Sequence, residues 1–484
     1  MTSARLLGLA ALALALPVPT ALAHPLTSTR AQATTFTVAA TADAPHARPL
    51  DGTCTSTLPG GACTLRAAIQ AANVLGDGPH TINLSTAGTY ALTVVGPGED
   101  DGATGDLDIN GTMVAIANTS GGRVGIDGNH TDRVFGIGRH GQAQVTFTGV
   151  TIENGLLEGT PGPLLAGGGV DIATGSAATF NNVIFTGNRS AFAGGGLANA
   201  GLATLNDVTF SGNTAVFSGG FGNLAVTTLN DVVFSGNFGS FSNGGFGNLG
   251  LATLTNVLVT RNAAGFLDGG LANGDKASLT LTNATISYNR ASLNAGMGNL
   301  GKATLTNVTI SGNTASDFSS GFGNLGTATL TNVTISGNLG GGSVGGIASG
   351  LPLRGRLQPV ASVLGILGIT VPEPGPTAVQ NSIVSSDFVA CGVPITSLGS
   401  NLEFPSNTCG FSPALGDIIG RNPLLGPVAS NGGFAPTQAL LPRSPAIDRA
   451  RFGCPSTDQR KVARPQGARC DIGAYERKKV RKKK

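Results

Sequence analysis

The chain has 484 residues, of which 11% are charged and 75 are glycine, with no tryptophan. Ordinary globular chains carry about 25% charged residues and roughly 7% glycine. The formal charge is +3, but the last eight residues hold seven basic side chains. Without those seven the chain has 22 basic and 26 acidic residues, a net of −4, which argues against a nucleic-acid binder. Enough Val, Ile, Leu and Phe remain to fill a core, which excludes a disordered chain.

Taken from the front, Arg5 precedes the apolar run Leu6–Leu16, and Ala21-Leu22-Ala23 forms a small-x-small site before His24. This pattern predicts a secretory signal peptide over residues 1–23 and export, with no transmembrane helix in the mature chain. Residues 24–50 read as a linker. Six cysteines suit an oxidising compartment. Their clustering favours the pairs Cys54–Cys63, Cys391–Cys409 and Cys454–Cys470, and no C-x-x-C spacing points to zinc or redox chemistry.

Residues 51–139 read as an N-terminal cap with the first coils. Leu65, Ala68, Ile69 and Ala72 lie at helical spacing on one apolar face, and Thr64 is placed to cap the helix. A short amphipathic helix here covers the open strand edge of a first coil. Two acidic stretches follow, Glu99-Asp100-Asp101 and Asp106-Leu107-Asp108. Calcium is the one cofactor such carboxylates suggest, although a Gly-rich acidic turn before a strand needs no metal.

From 140 to 350 a block of about 25 residues repeats. One asparagine column is Asn188, Asn213, Asn237, Asn262, Asn289, Asn313 and Asn338; a second is Asn199, Asn223, Asn248, Asn273, Asn299 and Asn324. A fixed period of this size means a solenoid, propeller or array. Segments such as Val208-Thr209-Phe210 and Val308-Thr309-Ile310 alternate with strand periodicity, and no stretch keeps helical spacing. A propeller blade needs about forty residues, so the block is one coil of a parallel β-helix, with three strands and three corners. Stacking then predicts two internal columns. One holds Phe192, Phe217, Phe241, Phe266 and Leu293. The other holds Leu197, Phe221, Phe246, Leu271, Met297 and Phe322. The asparagines are expected to form corner ladders. The single 27-residue step is attributed to Ala277-Ser278-Leu279 ahead of Leu281.

Residues 351–378 break the period. They include the apolar run Ala361–Val371, too short to span a bilayer, and read as an insertion projecting from a coil. Residues 379–476 close the fold, and 477–484 form a basic tail suited to wall polymers or lipid headgroups.

Both flanks carry a family resemblance. Cys63-Thr64-Leu65-Arg66-Ala67-Ala68 resembles the C-S-L-R-E-A motif of CSLREA-domain proteins, with Thr64 and Ala67 departing from its Ser and Glu. At the back, Leu440-Leu441-Pro442-Arg443-Ser444-Pro445-Ala446-Ile447-Asp448 leads to Thr457-Asp458-Gln459-Arg460. The run then ends in Cys470-Asp471-Ile472-Gly473-Ala474-Tyr475-Glu476. This is similar to the choice-of-anchor Q domain. The resemblance implies a secreted bacterial right-handed parallel β-helix at the cell surface or in the medium, and no particular reaction. No sorting signal of the kind such proteins carry is recognisable after residue 476.

Many parallel β-helices cleave acidic polysaccharides, so catalysis is the rival reading. It needs clustered carboxylates, or calcium carboxylates with a basic proton acceptor. All five histidines lie at or before His140, and no Glu occurs from 159 to 372. Asp207 and Asp231 share one corner in successive coils, where other coils place Asn256, Asn283, Asn307 and Asn332. They read as ladder members, and with Asp106 and Asp108 they are the candidate cation or ligand positions. No catalytic residue is assigned. The expected function is non-catalytic adhesion or glycan contact through outward Thr, Ser and Asn rows. The alternative is a polysaccharide lyase or glycoside hydrolase acting on an acidic polysaccharide.

Overall fold

The computed structural model describes residues 33–48, 51–96, 102–159, 166–340, 344–350, 354–355, 371–387 and 389–478. The expected signal peptide, the acidic triplet Glu99-Asp100-Asp101, most of the apolar run from Ala361 and the tail beyond residue 478 lie outside the described residues.

The chain is a right-handed parallel β-helix. Through the central repeats each coil contributes a three-residue strand to sheet 1, a ten-residue strand to sheet 2 and a short strand to sheet 3. One coil is Leu197–Asn199, Leu202–Ser211 and Thr214–Phe217. Among the described residues the three sheets hold 11, 20 and 8 strands. Register is one block per coil: Leu205 pairs with Leu229 and Phe210 with Phe234. The ten-residue strand is two strands joined at a left-handed residue. Asn182, Asp207, Asp231, Asn256, Asn283, Asn307 and Asn332 all sit there at φ between +53° and +57°. Asn and Asp tolerate that conformation because their short side chains bond locally.

Inside, Phe185, Phe210 and Phe234 stack at 4.6 and 4.9 Å between ring centroids. The column from Leu197 to Phe322 is fully buried, as its spacing predicts. The other predicted column is displaced. Phe192, Phe217, Phe241 and Phe266 do stack, at 5.4 to 5.7 Å. However, they are half-buried and lie outside the lumen, where Phe241 and Phe266 pack on a satellite cluster with Leu267, Leu293 and Phe318. The strand of sheet 3 runs to Phe217 itself, and it is Gly220, three residues on, that faces the lumen against Phe234 and Asn237.

Both asparagine columns are buried ladders. From Asn188 to Asn338 each Nδ2 donates to the next Oδ1 at 2.9–3.0 Å. From Asn199 to Asn324 the same bond is 2.6–2.8 Å. The two residues behind the 27-residue step sit in the corner Gly274–Ala277, since Ser278 is already in register with Leu251.

Helix α1 (Leu65–Leu75) covers the first coils, with Leu65, Ala68, Ile69 and Ala72 buried and Thr64 Oγ1 accepting from the Ala67 amide. The motif arginine, Arg66, is buried there. It pairs with Asp43 at 2.8 Å and donates to the carbonyls of Gly102, Gly105 and Asp106. The linker expectation for 24–50 is corrected: Thr35–Val38 is a strand paired with His80–Leu84, so the coils begin there. Coils also run past 350, since Thr377–Gln380 pairs with the strand Thr327–Thr331. The three cysteine pairs form as expected, Cys54–Cys63, Cys391–Cys409 and Cys454–Cys470.

The C-terminal region is more than an end cap. After the coil strand Ile418–Ile419 it forms the antiparallel pair Leu425–Ala429 and Thr437–Leu440. It then folds back along the outer face of sheet 2. Gln459 bonds Thr309 and Thr285, Asn307 donates to the Thr457 carbonyl, and Asn332 donates to the Asp471 and Gly473 carbonyls. The outward residues Thr285, Ser287, Thr309, Ser311, Thr334 and Ser336 are therefore buried, and these Thr/Ser rows do not face solvent.

Candidate functional site

The C-terminal motif is structural. Asp458 accepts from the amides of Arg460, Val462 and Glu476 and from the Arg460 guanidinium at 2.6 Å. Arg460 lies 3.5 Å over the Tyr475 ring. Arg464 donates to the carbonyls of Asp471 and Gly473 and pairs with Glu476 at 3.2 Å. Burial pushes the Asp471 carboxyl up to about 6 and raises that of Glu476. In each case desolvation outweighs the backbone hydrogen bonds and the nearby Arg464 charge that favour the ionised form. These buried contacts clamp the lobe.

Three of the four candidate cation positions are engaged by protein contacts. Asp106 pairs with Arg133 at 3.0 Å, and Asp108 accepts from the Gly102 amide at 3.1 Å. Arg133 and Arg139 both reach Asp171. Asp231 Oδ1 accepts from Asn256 Nδ2 at 2.8 Å, continuing a ladder through Asn283 and Asn307. Asp207 is exposed one coil earlier. Among the described residues no group of three His, Cys, Asp or Glu side chains converges as a metal site.

The outer face of sheet 3 is different. Its register aligns Arg189, Thr214, Phe238, Ala263, Arg290, Thr314 and Leu339 in one column along the helix axis. Large and small residues alternate, so the small ones floor depressions between the large ones. Arg189, Thr214, Val216, Phe238 and Ser240 line one depression. Arg261, Asn262, Ala263, Tyr288 and Arg290 line the next, of about 550 Å³. Arg189, Arg261 and Arg290 make no ion pair among the described residues, unlike Arg66, Arg133, Arg139, Arg460 and Arg464.

Two of these side chains stand where the fold prefers glycine. The corner before sheet 3 is Gly187, Gly212, Gly236, Gly312 and Gly337 in five coils, all at φ from +60° to +70°. In the two coils between, it is Arg261 and Tyr288, at φ +55° and +57°. A bulky residue with positive φ is rare and strained, and such strain collects at ligand sites. The Tyr288 ring lies over Gly312 of the next coil, where an added Cβ would meet its Cε1 at 2.7 Å. The ring stays 45% exposed, as Phe238 stays 42% exposed. Arg189, Arg261, Tyr288 and Arg290 are not among the candidate positions that the sequence suggests. The visible signal was Thr260-Arg261-Asn262 and Ser287-Tyr288-Asn289 against the usual Ser-Gly-Asn.

No family model and no curated protein sequence matches the chain. Among solved structures it is similar to one titled "Crystal structure of pectate lyase Pel9A". The identity is 14%, over 92% of this chain and 96% of that one, with a TM-score of 0.47. At that level the likeness bears no argument on activity, and the fold rests on the strand register above.

Proposed function

We propose that this chain is an exported, extracellular β-helix that holds polysaccharide on the outer face of sheet 3 without cleaving it. The observation that carries this reading is the depression lined by Arg261, Tyr288 and Arg290, where two corners keep strained side chains in place of glycine. Exposed aromatic and guanidinium groups at the edge of a small-residue floor offer stacking faces and hydrogen-bond donors to sugar rings. Neither depression is lined by a carboxylate or histidine, so the acid–base pair of a hydrolase is not supplied there. Three disulfides support an oxidising compartment. The motifs similar to CSLREA and choice-of-anchor Q domains support the same placement, their residues serving to close the coil stack and clamp the lobe.

The test is a glycan array probed with the mature chain and with Ala263→Trp, which fills the floor without changing charge, run beside an assay for reducing ends and unsaturated products. Binding by the parent, loss in the variant and no product is the expected result. Product formed by the parent protein replaces this reading with the lyase or hydrolase alternative.

A further inference from the structure

We infer that the ligand of the sheet 3 groove is an anionic polysaccharide, its acid groups seated by Arg261 and Arg290 at one position and by Arg189 at another. This rests on the glycan reading above and adds the chemical class. Three guanidinium groups on one face have no internal partner among the described residues, and no carboxylate lines either depression. An unpaired guanidinium is a planar fork of donors matched to carboxylate or sulfate oxygens, and such charge-assisted bonds are the strong ones. Tyr288 and Phe238 supply apolar faces beside the charges.

The spacing fits a repeating polymer. Coils stack about 4.8 Å apart. Arg189 and Arg290 occupy one column four coils apart, which is roughly 19 Å at that rise. Phe238 stands midway, and the floors at Thr214 and Ala263 fall between. A chain lying along the axis meets charge, floor, aromatic face, floor and charge in order. Nucleic acid is the poorer fit, because the body without its basic tail carries a net −4. A phosphate backbone recruits an extended basic surface.

The experiment measures binding of the full mature chain to polygalacturonate, its fully methyl-esterified form, dextran sulfate, a neutral β-glucan and duplex DNA, each across a salt titration. The parent, Arg261→Gln, Arg290→Gln and the double variant are compared, with thermal unfolding as the fold control. The basic tail is common to every variant, so differences between them report the groove. The expected result is tighter binding of acidic than of esterified polymer. Each substitution is expected to weaken acid-polymer binding about ten-fold, with the neutral glycan unmoved. Polygalacturonate against dextran sulfate separates carboxylate from sulfate recognition. Equal binding of acidic and neutral polymers overturns the anionic assignment and leaves the glycan reading standing. Binding of no glycan overturns both. Tighter binding of DNA than of any glycan, lost in the double variant, assigns the groove to nucleic acid instead.

Discussion

Asp268 occupies the same left-handed corner as Asn294 of the next coil, and its Oδ1 is buried with no hydrogen-bond partner, directed at Gly298. Asn243 holds the equivalent place one coil earlier, with φ of +59°, +57° and +54° along the column. The residue keeps partial exposure, but its carboxyl is shut in between corner and sheet. Burial pushes that carboxyl up to about 7, opposed by the hydrogen bond from Asn294. The folded value lies above the unfolded 3.8. The associated stability is therefore fully present below about pH 4 and is lost as pH rises through about 7. Asp268→Asn, which matches its ladder neighbours, is expected to stabilise the protein at pH 8 by ~1–3 kcal/mol. The gain should vanish near pH 4. Urea midpoints of parent and variant at both pH values check this; equal differences at the two would refute it.

The two phenylalanine columns are expected to differ in energy. Phe246 is fully buried in the lumen, and its truncation to alanine is expected to cost about 3–5 kcal/mol. Phe217 stacks between Phe192 and Phe241 outside the lumen. Its truncation is expected to cost roughly 1–2 kcal/mol, the share due to half-burial. Denaturation midpoints of both variants test the assignment, and equal losses would contradict it.

Asn262 carries the corner ladder at its centre. Its Nδ2 donates to Asn289 Oδ1 and the Phe234 carbonyl, and its Oδ1 accepts from the Asn237 amide and side chain. Asn262→Ala leaves the Phe234 carbonyl and the Asn237 amide without their buried partner, at about 1–3 kcal/mol each. The expected outcome is poor secretion or a melting temperature far below that of Asn206→Ala, whose ladder is part-exposed.

Gln459 ties the C-terminal lobe to sheet 2 through Thr309 at 2.6 Å and Thr285 at 2.7 Å. Gln459→Leu leaves both hydroxyls buried beside an apolar chain. Hydrogen exchange is expected to rise in 437–440 and 457–476 and to stay unchanged in the coils before residue 260. Uniform loss of protection would mean that the lobe and coils unfold together.

Much of this fold was legible because a β-helix repeats its demands. Most corners that need a left-handed residue show Asn, Asp or Gly, and the lumen columns are filled mainly by Leu, Ile, Val and Phe. Thr64 before an apolar face announced helix α1 in the same way. Which aromatics point inward was not legible, because Phe217 and Phe221 are four residues apart across a corner whose turn decides the matter. The lobe was illegible for another reason. Thr309 looks outward in its own coil, and only docking of Gln459, 150 residues later, buries it. Arg261, Tyr288 and Arg290 read as irregularities of the repeat until register placed them around one floor.

The most direct test of the central claim is arginine footprinting by a dicarbonyl reagent, read by mass spectrometry with and without saturating polygalacturonate. Arg189, Arg261 and Arg290 are expected to be modified in the free protein and protected in the complex. Arg48, exposed near the N-terminal cap, should react equally in both. Unchanged modification of Arg261 and Arg290 under conditions where the polymer is bound would contradict the assignment of sheet 3 as the binding face.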